Sequence, residues 1–308
     1  MDSRITLYKL SEKTMANKTE IHKRKVEHKR LSKIKFDIEP YYSSEYKLKD
    51  NIDLITVAFN NPVVIKYQIA LIKKFINGDY CYIVCDNSNR KEKSEEIRKI
   101  CMDSDITYIH VTPKETPNGY SDSHGIALNW IYKNIIKKRG NNFAFLDHDI
   151  FPVKKIDISG YLSAQDFNGL KVKPHKASFS NNFGNLWYLW AGFSFFKYNV
   201  LKDKNINFKK WRRWGLFKVL GADTGSGNWP VLYSNPKYKN YDFCKAKHCN
   251  IRGNKQTTWE AGSNLAQTDL IQYIDDENWL HMINGSEWSD SNGKLNIIYN
   301  MLDKFLDR

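Results

Sequence analysis

From residue 53 to residue 147, apolar runs alternate with amphipathic stretches, and most of the apolar runs end on a polar residue. "DLITVAF" (53–59) predicts a buried strand, because it is a short apolar run with β-branched residues and flanking turn signals. Asn61 and Pro62 then open a helix as cap and first residue. Ile65, Ile69, Ile72 and Ile76 recur on one face of that helix, and Gly78 is placed to end it. "YCYIVC" (80–85) predicts a second strand ending at Asp86. Ser94 is placed to cap a helix with Glu95 and Glu96 in its first turn, and "ITYIHV" (106–111) predicts a third strand. After the loop "TPKETPNGYSDS", a helix with Ile131 and Ile135 inward runs to Gly140, and "FAFL" (143–146) predicts a fourth strand.

Strand and helix repeated three times and closed by a strand predict an α/β fold, with a mostly parallel central sheet and helices on both faces. Ligands of such sheets bind at the carboxyl ends of the strands. Asn60, Asp86 and the pair Asp147 and Asp149 each follow the end of an apolar strand, so these polar groups converge on one sheet edge. "DHD" (147–149) is the most pointed of them. Two carboxylates one residue apart repel and resist desolvation, so folding alone gives little reason to put them against a buried strand. A divalent cation gives one.

Composition narrows the picture. At 308 residues, with 41% hydrophobic and 14% aromatic content, the chain can bury a full core and is not a disordered protein. Its net charge of +14 invites a phosphate-rich partner, but Lys lies on nearly every polar face, and a solvated surface accounts for much of the charge. The five cysteines form no disulfide framework, and reduced thiols in a cytoplasmic setting are the simplest account. Cys81 and Cys85 share a strand face and suit a core, whereas Cys244, His248 and Cys249 lack a second ligand pair at finger-like spacing.

Neither the polar N-terminus nor "LWYLWAGFSFF" (186–196) has the length or character of a signal peptide or a membrane span. Any membrane contact is expected to be peripheral. Residues 1–50, with the basic run "KTEIHKRKVEHKRLSKIK", read as an N-terminal extension. Residues 51–292 then form one domain, and 293–308 a C-terminal amphipathic helix with Leu295, Ile298, Leu302 and Phe305 on one face.

No G-x-G-x-x-G or lysine-bearing phosphate loop follows the first strand, which argues against dinucleotide and P-loop chemistry. The ordered set "ITVAFNNP", "IVCDNSN", "HGIALNW" and "DHD" instead resembles a GT-A glycosyltransferase, most like family 2, over residues 51–152. "LWAGFSFFK" (189–197) resembles the strand that floors the acceptor site, and "GADTGSGNW" (221–229) falls where inverting members carry a catalytic carboxylate. "HMINGSEW" (281–288) is similar to the His-x-x-Gly closing segment of family 8, with its glycine one residue further on at Gly285, Glu287 in place of that family's lysine and no proline after it.

This resemblance implies a GT-A (Rossmann-like) domain, with a nucleotide-binding half at 51–152 and an acceptor-binding half at 153–292. It implies a hexosyltransferase that moves a sugar from a nucleotide-sugar donor, a UDP-sugar first, to a carbohydrate or lipid-linked glycan in glycan biosynthesis. Asp149 and His281 would ligate Mn2+ or Mg2+, with Asp147 on the ribose or a metal-bound water. Phe59, Asn60, Asp86 and His124 would line the donor site. Asp223 would be the base of an inverting reaction, ahead of Glu260 and Asp269. Trp190, Gly192 and Trp229 would contact the acceptor, since aromatic faces stack on sugars.

"KKWRRWG" (209–215) fits an anionic acceptor, lipid headgroups or a snorkelling surface equally. Two other readings remain open at this stage. A nucleotidyltransferase acting on sugar phosphates would need a glycine-rich loop that "FNNPVV" lacks. A non-enzymatic polyanion-binding protein would leave the strand-end residues unexplained; no specific nucleic-acid partner is expected.

Overall fold

The computed structural model describes His22, Val26 and residues 36–47, 52–113, 120–174, 176–177, 186–211, 219–220, 222–252, 269–283 and 293–307. Most of the basic N-terminal run, the tryptophan-bearing stretch 212–218 and the closing segment from 284 lie outside these residues.

The main strands in chain order are β1 (Pro40–Tyr41), β2 (Ile52–Ala58), β3 (Tyr80–Asp86), β4 (Thr107–His110), β5 (Phe143–Asp147), β6 (Ile150–Pro152), β7 (Phe167–Val172) and β8 (Tyr188–Phe196). They are followed by β9 (Ala246–Asn250), β10 (Leu270–Ile274) and β11 (Trp279–His281). The main helices are α1 (Pro62–Phe75), α2 (Lys91–Asp103), α3 (Tyr120–Ile131) and α4 (Lys294–Asp307).

The central sheet has seven strands in the order β7-β8-β5-β2-β3-β4-β1. Pairings β5-β2, β2-β3 and β3-β4 are parallel, while β7, β8 and β1 join antiparallel. All seven residues of β2 are buried, as expected of a strand at the middle of a sheet covered on both faces. Ile55, Val57, Cys81 and Cys85 pack on one face with α3, and Leu54, Tyr82 and Val84 on the other with α1 and α2. Because β3 and β4 extend to one side of β2 while β5 returns to the other, strand order reverses between β2 and β5. That reversal opens a crevice at the carboxyl ends of these two strands.

The first helix begins as its sequence dictates: Asn61 caps it, its side chain accepting from Val64 N at 3.3 Å, and Pro62 is the first residue. It ends at Phe75 rather than near Gly78, because Ile76 turns extended and pairs with Ile156. Ser94 does not cap the second helix. That helix starts at Lys91, and Ser94 turns inward instead, its hydroxyl 2.6 Å from Asp86 Oδ2. The third helix runs on through a wide turn and stops at Gly140, whose φ of +74° supplies the left-handed cap.

A second, antiparallel sheet runs β9-β10-β11-β6. With α1 and α4 it encloses a separate core of Val64, Leu71, Phe151, Ile271, Leu280, Ile298 and Leu302. The C-terminal helix thus docks on the domain, and Tyr67 stacks on Tyr299 with ring centroids 5.3 Å apart. Part of the segment assigned to the N-terminal extension also joins the fold: Tyr41 pairs with Tyr108, and β1 covers what would be the exposed edge of β4. Among the described residues no helix is long and apolar enough to cross a membrane.

Candidate active site

Asp147 is the last residue of β5, and only His148 and Asp149 separate it from β6. The "DHD" link therefore crosses from one sheet to the other, beside the crevice where strand order reverses. Its backbone is pinned. Gln68 Nε2 donates to the carbonyls of Asp147 and Ile150, both at 2.8 Å, and Tyr82 Oη donates to Gln68 Oε1 at 2.6 Å. Met282 N donates to Asp149 O at 2.9 Å. His148 Nδ1 lies 3.3 Å from Val57 O, and since a carbonyl only accepts, Nδ1 carries the proton.

The side chains form two like pairs. Asp147 Oδ1 lies 3.6 Å from His124 Nε2, and Asp149 Oδ1 lies 3.6 Å from His281 Nε2. Burial pushes both histidines down, His124 to about 4, against the pull of nearby carboxylates, so each ring is neutral at pH 7. Burial also holds the Asp147 carboxyl well above the usual carboxylate range, reinforced by the negative charges of Asp149 and Asp223. Each carboxyl group thus faces a neutral imidazole at a separation too long for a direct hydrogen bond.

Asp223 reaches this cluster from a distant segment. Its loop lies along β8: Asp223 N donates to Tyr188 Oη at 2.9 Å, Ala191 N to Thr224 O at 3.3 Å, and Gly225 N to Phe208 O at 2.7 Å. Gly225 has φ +91°, and a Cβ there would sit 2.3 Å from Leu189 O, so glycine is what lets the loop lie so close. The charge of Asp223 acts on both Asp147 and His124.

Trp190 meets His281 from β8, and Gly192 follows two residues later on the same strand. A Cβ on Gly192 would sit 2.3 Å from Trp190 Cζ2, so the indole lies in the space that the missing side chain leaves. The Trp190 and His281 rings are 4.9 Å apart. Trp229 is placed elsewhere: it stacks on Trp211 at 5.3 Å and packs against the core on the α3 face.

The donor-side residues divide. Asn60, at φ +51°, ties the loop after β2 to the loop after β3, with its N–H on Ser88 Oγ at 2.8 Å and its amide on Asn89 Oδ1 at 2.7 Å. Phe59 is half-buried beside it. Asp86 stands at its strand end as expected, but its carboxylate is wholly buried and cannot touch a ligand in this conformation. Oδ1 accepts from Ser88 N at 2.9 Å, and Oδ2 accepts from Ser94 Oγ at 2.6 Å and Tyr108 Oη at 2.8 Å. Burial alone would raise this carboxyl, but hydrogen bonds involving His110, Ser88 and Ser94 outweigh it and hold the group below its usual range. Asp86 therefore shapes the loop beside the crevice.

Of the weaker base candidates, Glu260 lies outside the described residues, and Asp269 accepts from Arg252 Nε at 2.9 Å in a partly exposed pair. Cys244 and Cys249 belong to different cores, which dissolves any zinc set with His248. Among the described residues no group of three His, Cys, Asp or Glu side chains gathers to hold a metal ion unaided. Gln68 escaped the sequence reading; its signal was a polar residue within the isoleucine stripe of α1.

No protein-family model matches the chain, and no curated protein matches it in sequence. Among solved structures, it is similar to the mannosyltransferase PcManGT from Pyrobaculum calidifontis in complex with GDP-Man and Mn2+, at 14% identity and a TM-score of 0.36. The match covers 61% of this chain and 55% of that one, so the chain spans about half the length of that structure. Likeness of this extent carries no chemistry, and any function must be argued from the site.

Proposed function

We propose that the protein is a divalent-cation-dependent glycosyltransferase of GT-A type, moving a sugar from a nucleotide-sugar donor to a glycan or lipid-linked acceptor. One observation carries the reading. Asp147 and Asp149 of the link between β5 and β6, with His124, His281 and Asp223 from three other segments, cluster at the carboxyl end of a parallel sheet, where strand order reverses.

The donor set suits the cation. A carboxylate and a neutral imidazole, both buried, are ligands that Mn2+ accepts and that suit Mg2+ less well. Two protein ligands are enough for such an ion when phosphate oxygens and water complete its shell, so a closed three-residue cage is not required. When bound, the cation would neutralise charge growing on the diphosphate leaving group. The chain's own residues do the rest. Asp149 and His281 would hold the ion, and Asp147 would face the ribose or a water on the ion. Asn60 and Phe59 would border the base, with Asp86 bracing the loop after β3 to which Asn60 is tied. The half-buried Trp190 offers a face for a sugar beside His281. Asp223, as base, would take the proton from the acceptor hydroxyl as that oxygen attacks the anomeric carbon.

The test is calorimetric titration of UDP, GDP, CDP and ADP, with and without Mn2+, on wild type and Asp149→Ala. Mn2+-dependent binding of one nucleotide, abolished by the substitution, is expected. Absence of all nucleotide binding, with tight salt-sensitive binding of heparin, would replace the enzyme reading by that of a polyanion binder.

A further inference from the structure

His281 is held by a residue that no motif flags. Its Nδ1 lies 3.0 Å from Gln272 Oε1, and Gln272 Nε2 lies 3.2 Å from His248 Nε2. Gln272 pairs directly with His281 across β10 and β11, and with His248 across β9 and β10, so the three side chains form a row over adjacent strands. Both Gln272 and His281 are buried, at 8% and 6% exposure.

The row has a direction. A carboxamide oxygen only accepts, so His281 must donate from Nδ1. A carboxamide nitrogen only donates, so His248 must accept at Nε2. His281 is then left with its hydrogen on Nδ1 and a lone pair on Nε2, the atom 3.6 Å from Asp149 Oδ1. Two electron-pair donors facing each other across that gap suit a cation between them. Trp190 against the ring and Gln272 at its far nitrogen together fix the imidazole's plane.

We infer that Gln272, oriented by His248, is a positioning residue that keeps His281 in the Nδ1–H tautomer and turns its Nε2 lone pair toward Asp149 to receive a divalent cation. The cation-binding part of this inference rests on the function proposed above; the tautomer does not. The reverse carboxamide orientation would put the hydrogen on Nε2 and close the site, which makes the inference testable without any variant.

Long-range 15N–1H correlation spectra of metal-free, histidine-labelled protein read the tautomer, with the His281 signals assigned by their loss in His281→Asn. The expected result is hydrogen on Nδ1 in wild type and a mixture of tautomers in Gln272→Leu. Mn2+ affinity, read from the free-ion electron paramagnetic resonance signal, should fall about 10- to 100-fold in Gln272→Leu. Gln272→Glu keeps an acceptor for Nδ1–H and should retain the tautomer and most of the affinity. Hydrogen on Nε2 in wild type overturns the inference, as does a Gln272→Leu protein with unchanged tautomer and affinity. A Gln272-dependent Nδ1–H tautomer in a protein that binds no Mn2+ supports the positioning role while overturning the metal reading.

Discussion

Acidification should cost the metal-free fold stability through His124, and the size of the loss follows from its surroundings. The side chain is 23% exposed, beside Asp147, and burial brings its pKa from 6.5 to about 4. The folded value lies below the unfolded one, so the unfolded chain takes up the proton first as pH falls. The stability contributed by neutral His124 is therefore complete above pH 6.5 and is lost progressively down to pH 4. Linkage over that interval gives a loss of about 2 kcal/mol at pH 5 and about 3 kcal/mol at pH 4.

His124→Gln removes the titration. Urea unfolding followed by tryptophan fluorescence, in EDTA at pH values from neutral to acid, gives the difference between the two proteins. Asp147 acts in the opposite sense over part of this range, since its raised carboxyl gains protons more readily folded than unfolded. The wild-type curve alone is thus shallower than His124 dictates, and comparison with the variant is needed to isolate the residue. The gap should change in the variant's favour by about 2–3 kcal/mol between neutral pH and pH 4. Parallel curves would show that His124 is solvated enough to titrate normally and would refute the reasoning.

Three other outcomes are expected. Asp147→Asn should raise the urea midpoint of metal-free protein at pH 7: a raised carboxyl gives up its stabilising share as pH climbs through the folded pKa, and the amide escapes that loss; a lower midpoint would contradict it. Gly192→Ala puts a methyl 2.3 Å from Trp190 Cζ2 and should force the indole off His281, at about 1–3 kcal/mol of stability and with altered tryptophan fluorescence; an unchanged spectrum and midpoint would mean the ring has room. Asp86→Asn should cost about 1–3 kcal/mol in urea unfolding, because donors from Ser88, Ser94 and Tyr108 all meet on its two oxygens. A neutral substitution there would mean the loop is braced from elsewhere.

Much of the parallel sheet was legible because each of its strands is a short apolar run between turn signals, and a buried parallel strand writes itself that way. The same logic put Asp147 and Asp149 at a strand end. The second sheet was not legible. "AKHCN" is half exposed and carries Lys, His and Asn, so nothing in its pattern declares a strand until Leu270–Ile274 lies beside it. β1 is two residues long and owes its conformation to the edge of β4, not to its own composition. Ser94 read as a cap from local chemistry, yet a buried carboxylate eight residues away outbid the helix terminus for its hydroxyl. Gln68 showed only as a polar residue in the isoleucine stripe of α1, and no spacing rule tied it to Asp147 or tied Gln272 to His281.

Asp53, Asp86 and Asp147 are aspartates on three strands of one sheet, and the fold treats them differently. Asp53, at the amino end of β2, meets Arg139 in a two-pronged pair at 2.8 and 2.9 Å, with Asn141 adding a contact at 3.2 Å. Asp86 is buried among hydrogen-bond donors that more than offset its desolvation. Among the described residues, Asp147 gets neither. Its charged neighbours are two further carboxylates, and the histidine beside it is neutral. Burying a carboxylate next to like charge costs stability, and a sheet that satisfies Asp53 and Asp86 so fully has the means to satisfy a third. Among the described residues no counter-charge answers Asp147, and folding gives no reason for that. A ligand that brings positive charge to the end of β5 would supply it, as the function proposed above requires.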